Sequence, residues 1–195
     1  MLGNAEKSTQ KPAQSDSTLM LAYRTGDVGA FELLYKRYKD GLFAYFVRNT
    51  NNEVRARELF QDVWMSIIQG RDNYQESERF SAWLYRIAHN RLVDHYRYMH
   101  SRRQPVAAGF EAVSAIASPL RPQEVITYSQ DRKRLNRALG KLPPLRRDEL
   151  IMRLEWRLGL TEIAGIIGEP KEIVKSRLRY ATNKLRMYLR DADEQ

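Results

Sequence analysis

The chain has 195 residues and no cysteine, its formal net charge is +9, and 43% of its residues are hydrophobic. The lack of cysteine excludes disulfides, thiolate nucleophiles and cysteine metal sites, and it suits the reducing cytoplasm. No stretch approaches the roughly 18 apolar residues of a membrane span, so membrane insertion is not expected. Residues 1–15 lack the apolar core of a signal peptide and are predicted to form a disordered tail.

The positive charge is concentrated in two separate segments. Residues 16–78 carry a net charge of −2, whereas residues 79–103 carry +5 and residues 129–190 carry +9. Basic segments attract polyanions, so this distribution predicts two distinct contacts with nucleic acid.

Helical periodicity dominates the chain, and no segment alternates strictly enough to predict a strand. Apolar residues recur at three- and four-residue steps over residues 31–46 and 56–68, and again on the inner face of a helix from Phe80 to Tyr98. Further helices are expected from Pro122 to Leu142 and from Leu145 to Leu158. Between these groups, residues 104–121 are rich in small residues and poor in charge, which is typical of a linker. The sequence therefore predicts an all-α protein of two helical domains that tumble semi-independently about a flexible linker.

The stretch from Leu160 to Leu185 is typical of a helix-turn-helix. Gly159 and Glu162 form a weak capping box, Gly168 permits a sharp turn, and Pro170 begins the second helix. That helix has an apolar inner stripe and an outer side of long donors suited to phosphates and base edges. A helical hairpin with a solvated basic face is the alternative. The predicted DNA-binding residues are Lys171, Glu172, Lys175, Ser176, Arg177, Arg179, Tyr180 and Asn183.

The first basic segment interleaves arginines with aromatic residues between Arg79 and Arg103. Such a mixture suits single-stranded nucleic acid, because unstacked bases can stack on rings while arginines hold phosphates, although part of these rings belongs to the core. His89, His95 and His100 point to different helix faces, so no metal site is predicted. The sequence has no phosphate-binding glycine loop or nucleophile elbow, so no catalytic residue and no cofactor is predicted.

Four motifs, in order along the chain, resemble the extracytoplasmic-function (ECF) sigma factors of bacterial RNA polymerase. "GDVGAFELLYKRY" is similar to the first helix of the family's domain 2. "ELFQDVW" looks like the segment that docks on the clamp helices of the largest polymerase subunit. "FSAWLYRIAHNRLVDHYR" matches the next part of domain 2, and "LPPLRRDEL" followed by "EIA…VKSRL" is similar to domain 4.

The resemblance implies a domain 2 over residues 16–103 that binds core polymerase and captures the melted minus-ten strand. It implies a domain 4 over residues 122–190 that reads the duplex minus-thirty-five element, and an anti-sigma protein that masks these faces. The implied polymerase-binding residues are Glu58, Gln61, Asp62 and Met65. The implied minus-ten residues are Trp83, Arg86, Asn90, Arg91, Asp94 and Arg97.

The chain departs from the family pattern at two places. The family usually has glycine and then serine where this chain has Arg157 and Gly159, and an acid is common where it has Arg57. The main alternative is a helix-turn-helix regulator that acts without polymerase. A nucleic-acid-processing enzyme is a third reading, for which the sequence offers no catalytic constellation. The acidic strip in "ELFQDVW" favours the sigma factor, since a scaffold helix has no need of it.

Overall fold

The computed structural model of the chain describes residues 14–101 and 133–191, which contain helices and turns but no strand. The all-α prediction is confirmed. The predicted linker and the beginning of the helix at Pro122 lie outside the described residues. The N-terminal half consists of α1 (Asp16–Arg24), α2 (Val28–Thr50), α3 (Glu53–Gln69) and α4 (Phe80–Ser101). The C-terminal half consists of α5 (helical over residues 133–140), α6 (Pro144–Leu154), α7 (Leu160–Ile167) and α8 (Lys171–Asp191).

A polar side chain caps the N-terminus of each of the first three helices. The Ser15 hydroxyl accepts a hydrogen bond from the Thr18 N–H at the beginning of α1. Asp27 and Asn52 accept equivalent bonds at the beginnings of α2 and α3. Each bond satisfies a backbone donor that has no partner inside its helix, which fixes where the helix begins. No helix was predicted over residues 16–24, although Ser15 is a residue type favoured at the beginning of a helix.

The N-terminal core is built by α2, which packs against both α1 and α3, while α4 packs on α3. The predicted apolar stripes supply it, with Leu34, Leu42 and Phe46 fully buried on α2. Aromatic rings join the helices, since the ring of Phe31 lies 4.7 Å from that of Tyr23 and 5.7 Å from that of Trp64. Because each helix buries its apolar stripe in this core, the apolar periodicity of the sequence predicted the helices correctly.

Helix α6 ends at Leu154, four residues before the predicted end at Leu158. The chain turns there through Arg157, whose φ of 51° is left-handed and cannot continue a helix. The turn directs the preceding Trp156 toward the N-terminal half, where its ring packs on that of Tyr85 at a centroid distance of 4.2 Å.

The two halves of the structure pack against each other, with α7 against α4 and α6 against α2. Asp148 of α6 is 1% exposed and is hydrogen-bonded to Tyr45 of α2. The two helical halves are therefore in contact in this arrangement, and their semi-independent motion stays a prediction. A linker's composition indicates only that the halves can separate, and complementary surfaces elsewhere decide whether they do.

Candidate functional site: a helix-turn-helix and two faces of the N-terminal half

The helix-turn-helix has the predicted geometry. The Gly159 N–H donates to the Glu162 carboxylate over 2.6 Å and so begins α7. Gly168 ends α7 in the left-handed conformation, with a φ of 72°, where a side chain is rarely accommodated. The N–H groups of Gly168 and Glu169 both donate to the Ala164 carbonyl, which closes the turn before α8.

Seven of the eight residues predicted to contact DNA on α8 are exposed on its outer side. Inward, Val174, Leu178, Ala181 and Leu185 are buried and hold the helix on the C-terminal core. Long donors are thereby presented outward from a fixed helix, which is the arrangement required to enter a major groove. The exposed residues are Lys171, Glu172, Lys175, Ser176, Arg179, Tyr180 and Asn183.

Arg177 is the exception on α8, because its guanidinium is turned toward the protein. It lies 3.2 Å from a Glu149 oxygen on α6 and 2.8 Å from a Glu169 oxygen in the turn. Glu149 is 2% exposed, and its burial raises its pKa, while the nearby Arg146 and Arg177 lower it. In this structure Arg177 neutralises a buried carboxylate and is not presented with the outer residues.

The second basic face lies along α4, where Asn90, Arg91, Asp94 and Arg97 are exposed. Arg86 is half-buried and ion-paired with Glu78 at 2.7 Å. Five of the six implied minus-ten residues therefore reach the surface at least in part.

Trp83 differs from the other implied minus-ten residues because it is buried, with only 5% of its surface exposed. Its ring packs on Tyr74 and Phe80 with centroid distances of 5.4 and 6.1 Å. A buried ring cannot stack on a base, so in this structure Trp83 belongs to the core beneath the basic face.

The implied polymerase-binding residues Glu58, Gln61, Asp62 and Met65 are all exposed on one side of α3. The opposite side is held in the core by Leu59 and Val63, which are 8% and 0% exposed. Glu58 is ion-paired with the exposed Arg55 at 2.6 Å. Two carboxylates one helical turn apart, beside an exposed methionine, form a compact acidic and apolar strip.

The histidines do not come together in the structure. Within residues 14–101 and 133–191, no three His, Asp or Glu side chains are placed to hold a metal ion. His89 contacts Asp148 of the other half, while His95 is half-buried near Arg55 and has a pKa lowered by burial and by that cation. No helix in the described part of the chain has the length and apolarity required to cross a bilayer.

The contacts between the halves were missed by sequence reasoning. Arg147, Asp148 and Glu149 are consecutive charged residues of α6, and all three are buried. Charged runs are typical of solvated faces, so their burial had no local signal.

The fold and its exposed basic helix define an all-α helix-turn-helix protein. The Sigma-70 region 2 family matches residues 34–103. The chain is 26% identical over 178 residues to the ECF RNA polymerase sigma factor SigW of Bacillus subtilis, covering 86% of this chain and 93% of that protein. It is 26% identical over 190 residues to the RNA polymerase sigma-H factor of Pseudomonas aeruginosa, covering 92% and 98%. The chain is thus similar to RNA polymerase sigma factors over most of its length, and to the Sigma-70 region 2 family over residues 34–103.

Two solved structures share the fold. CnrH, in complex with the cytosolic domain of CnrY, aligns with a TM-score of 0.62 at 23% identity over 92% of this chain and 99% of its own. The sigma factor RpoE of Bartonella quintana, in complex with the anti-sigma factor NepR, aligns with a TM-score of 0.68 at 21% identity over 84% and 98%. Both alignments extend well beyond the N-terminal half.

Proposed function

We propose that the protein binds core RNA polymerase and directs promoter-specific initiation, with its two halves contacting two promoter elements. The C-terminal half reads the duplex minus-thirty-five element through the outer side of α8, and the exposed face of α4 holds the unpaired minus-ten strand. The observation that carries the proposal is the coexistence of these two basic faces with the acidic strip of α3. A protein that only binds duplex DNA requires one basic face and no such strip.

Each face has the chemistry that its role requires. Arg179 and Lys175 can reach guanine edges or phosphates, and Asn183 can pair with adenine. On α4, Arg91 and Arg97 can hold phosphates of a displaced strand, and Asn90 can bond an unstacked base. The protein supplies positioning and charge in this scheme, without catalysis and without a cofactor.

Partners follow from the same faces. The strip of Glu58, Gln61, Asp62 and Met65 is proposed to dock on the clamp helices of the largest polymerase subunit. An anti-sigma protein is a further proposed partner, because both similar structures were solved as complexes, one of them with a named anti-sigma factor. Because core polymerase and promoter DNA lie in the cytoplasm, we expect the proposed activity there.

Transcription in vitro with purified core polymerase tests the proposal. Run-off transcripts from a library of genomic fragments are expected only when core polymerase and this protein are both present. The alternative, a helix-turn-helix regulator that does not need polymerase, predicts duplex binding by the protein alone and no co-purification with the core enzyme. Duplex binding with no co-purification and no transcript would contradict the sigma-factor proposal.

A further inference from the structure

The first turn of α8 presents one apolar side chain among polar ones. Ile173 is 40% exposed, and its neighbours Glu172, Lys175 and Ser176 are exposed as well. Lys175 Nζ lies 3.7 Å from a Glu172 oxygen, so these two long side chains pair with each other beside the isoleucine. The next residue, Val174, belongs to the buried core, whereas Ile173 does not. The isoleucine is therefore directed outward by a helix that is anchored through its other side.

The backbone holds Ile173 in a fixed place. The N–H groups of Ile173 and Val174 both donate to the carbonyl of Pro170, over 2.9 and 3.1 Å, which closes the first turn of α8. Val174 is fully buried and Leu178 is 7% exposed, so this part of the helix is packed on the C-terminal core. A β-branched side chain in a helix has one strongly preferred χ1 rotamer, so the methyl groups of Ile173 have a defined direction. Little rotamer freedom is left for the side chain to lose in a contact.

The stability of α8 does not explain an exposed isoleucine. β-Branched residues are less favourable in helices than alanine or lysine, because their χ1 freedom is restricted. Single exposed apolar residues are common on protein surfaces, so exposure alone assigns no role. The position of Ile173 does, since it is the third residue of α8. Residues at the N-terminal end of a recognition helix are the ones that contact base edges in the major groove.

The major groove offers one apolar feature to such a side chain. Each base pair presents hydrogen-bond donors and acceptors there, and thymine adds a methyl group at C5. Isoleucine has no side-chain donor or acceptor, so it cannot hydrogen-bond to a phosphate or to a base edge. Contact with a thymine methyl is the interaction that remains, and it is favourable because it removes apolar surface of both groups from water.

Two further apolar residues lie on the same side of α8. Ile173, Tyr180 and Met187 are spaced by seven residues, and all three are exposed. A partner helix would require a second apolar position in each group of seven. The positions three residues further hold Ser176 and Asn183, which are polar and exposed, so the stripe is too narrow for a helical partner. Duplex DNA requires no such continuity, because each side chain meets a different base pair.

Tyr180 and Met187 are less suited than Ile173 to a contact with a base. Lys184 Nζ lies over the Tyr180 ring, 5.9 Å from its centroid, so a cation of the next turn already approaches that ring. Met187 lies about 21 Å further along the helix axis than Ile173, at 1.5 Å per residue. A helix that enters the groove by its N-terminal end carries such a residue away from the bases. Ile173 is the member of the stripe that reaches them.

We propose that Ile173 determines sequence specificity by contacting the C5 methyl group of a thymine in the duplex element that α8 reads. The inference rests on the proposed function, since it assigns a base to one residue of the helix that contacts duplex DNA in that scheme. It predicts that the minus-thirty-five element contains at least one A·T pair, whose thymine lies opposite the first turn of α8. Ile173 thereby adds an apolar contact to the polar contacts of the outer side.

Deoxyuridine tests the contact, because it lacks only the C5 methyl group of thymidine and pairs with adenine in the same way. The full chain is titrated, with core polymerase, against a promoter found by the transcription assay. Each thymine of the minus-thirty-five element is replaced by deoxyuridine in turn. Wild type should bind one of these promoters about fourfold more weakly, which is the loss expected for one buried methyl group. Equal affinity for all of them, or an element of G·C pairs alone, would overturn the contact.

Ile173→Ala separates a direct contact from an effect of the methyl group on the shape of the DNA. The variant should bind the thymine promoter about fourfold more weakly than wild type. It should not respond to the deoxyuridine that weakens wild type, because the methyl group then has no partner. A variant that loses as much affinity as wild type on deoxyuridine would show that the methyl group acts through DNA shape, and this would overturn the contact.

Met187→Ala is the matched control, since it removes an exposed apolar side chain from the same side of α8. It should bind both promoters as wild type does, and circular dichroism checks that each variant keeps its helix content. Equal losses for Met187→Ala and Ile173→Ala, the same on thymine and deoxyuridine, would show that the stripe binds protein and would overturn the contact with DNA. If wild type forms no complex on any promoter, the proposed function fails, and this inference fails with it. A wild-type complex that forms without dependence on a methyl group overturns the contact alone.

Discussion

Arg177 reaches from α8 to Glu149 on α6, with 3.2 Å between its Nη1 and the Oε1 of the carboxylate. Glu149 is almost fully buried, and its Oε2 has no hydrogen-bond partner among the described residues. The carboxylate is tolerated there because the guanidinium lies against it. Arg177 therefore links α8 to α6, although its position in the sequence predicted a contact with DNA.

Replacing Arg177 with alanine is expected to lower the free energy of unfolding by about 1–3 kcal/mol, because the buried Glu149 carboxylate then keeps only Arg146 as a cationic partner. Arg179, which lies two residues further along α8 and is exposed, provides the control variant. Arg179→Ala should change stability by less than about 0.5 kcal/mol, yet weaken promoter binding by about 1–3 kcal/mol. Denaturant unfolding and DNA titration of both variants check this. Equal stability of the two would contradict the packing role of Arg177.

Reversing the charge of Glu58 and Asp62 to lysine should abolish binding to core polymerase and leave the fold intact. Both side chains are exposed and lie on the opposite side of α3 from the buried Leu59 and Val63. Co-purification with core polymerase measures the effect, and thermal unfolding checks the fold. The matched control is the double reversal of Glu32 and Asp40, two exposed carboxylates of α2. A Glu58 and Asp62 variant that still supports transcription would show that the strip is only a solvated face.

The two basic faces should differ in the form of DNA that they require. Arg179→Ala is expected to weaken complexes equally on fully duplex and pre-melted promoters, because α8 is proposed to read an element that stays duplex in both. Asn90→Ala should be most harmful on duplex templates and be partly rescued by a pre-melted bubble, since it helps to hold a strand that is already open. Transcription from fully duplex and pre-melted forms of the same promoter compares the two variants. The same defect on both templates for both variants would mean that α4 does not hold the melted strand.

Arg157 is expected to be less favourable than glycine at its own position. Its φ of 51° is left-handed, and its side chain is exposed. A non-glycine residue there costs about 1–2 kcal/mol, while glycine loses more freedom on folding, by about 0.5–1 kcal/mol. Arg157→Gly should therefore stabilise the protein by up to about 1 kcal/mol. Thermal unfolding against Arg157→Ala, which keeps the strain, is the measurement. A lower melting temperature for the glycine variant would refute this explanation.

The buried Glu149 should make stability depend on pH. Burial raises the pKa of its carboxyl above the ordinary value of 4.5, with Arg146 and Arg177 opposing. A carboxyl with a higher pKa in the folded state binds more protons when folded, so its contribution to stability falls as pH rises through that pKa. The unfolding free energy of wild type relative to Glu149→Gln should decline from pH 4.5 toward neutrality. Glu172→Gln, at an exposed site, corrects for loss of one charge. Parallel curves for wild type and Glu149→Gln would contradict the raised pKa.

Local patterns predicted the helices well because each helix has to bury one face. The stripe containing Leu34 and Leu42 on α2 and the stripe containing Val174 and Leu178 on α8 repeat at the helical period, and all four residues are buried. Gly168 ends α7 for a reason that is local as well, since its backbone conformation excludes most side chains. Where a local signal competed with a contact from elsewhere, the prediction was wrong. Helix α6 stops at Leu154, where the left-handed turn at Arg157 lets the Trp156 ring pack on Tyr85 of the other half.

The sequence by itself determined the helical class, the helix-turn-helix and the exposed outer side of α8, because periodicity, glycine and charge act over a few residues. Only the tertiary structure decided which charged residues are buried. Asp148 finds Tyr45 and His89, which are more than fifty residues away in the chain, and Arg177 turns inward to Glu149. It likewise decided that the halves close on each other. That outcome depends on whether the Trp156 ring meets Gly41 of α2, and no local pattern in the sequence indicates that these two residues are in contact.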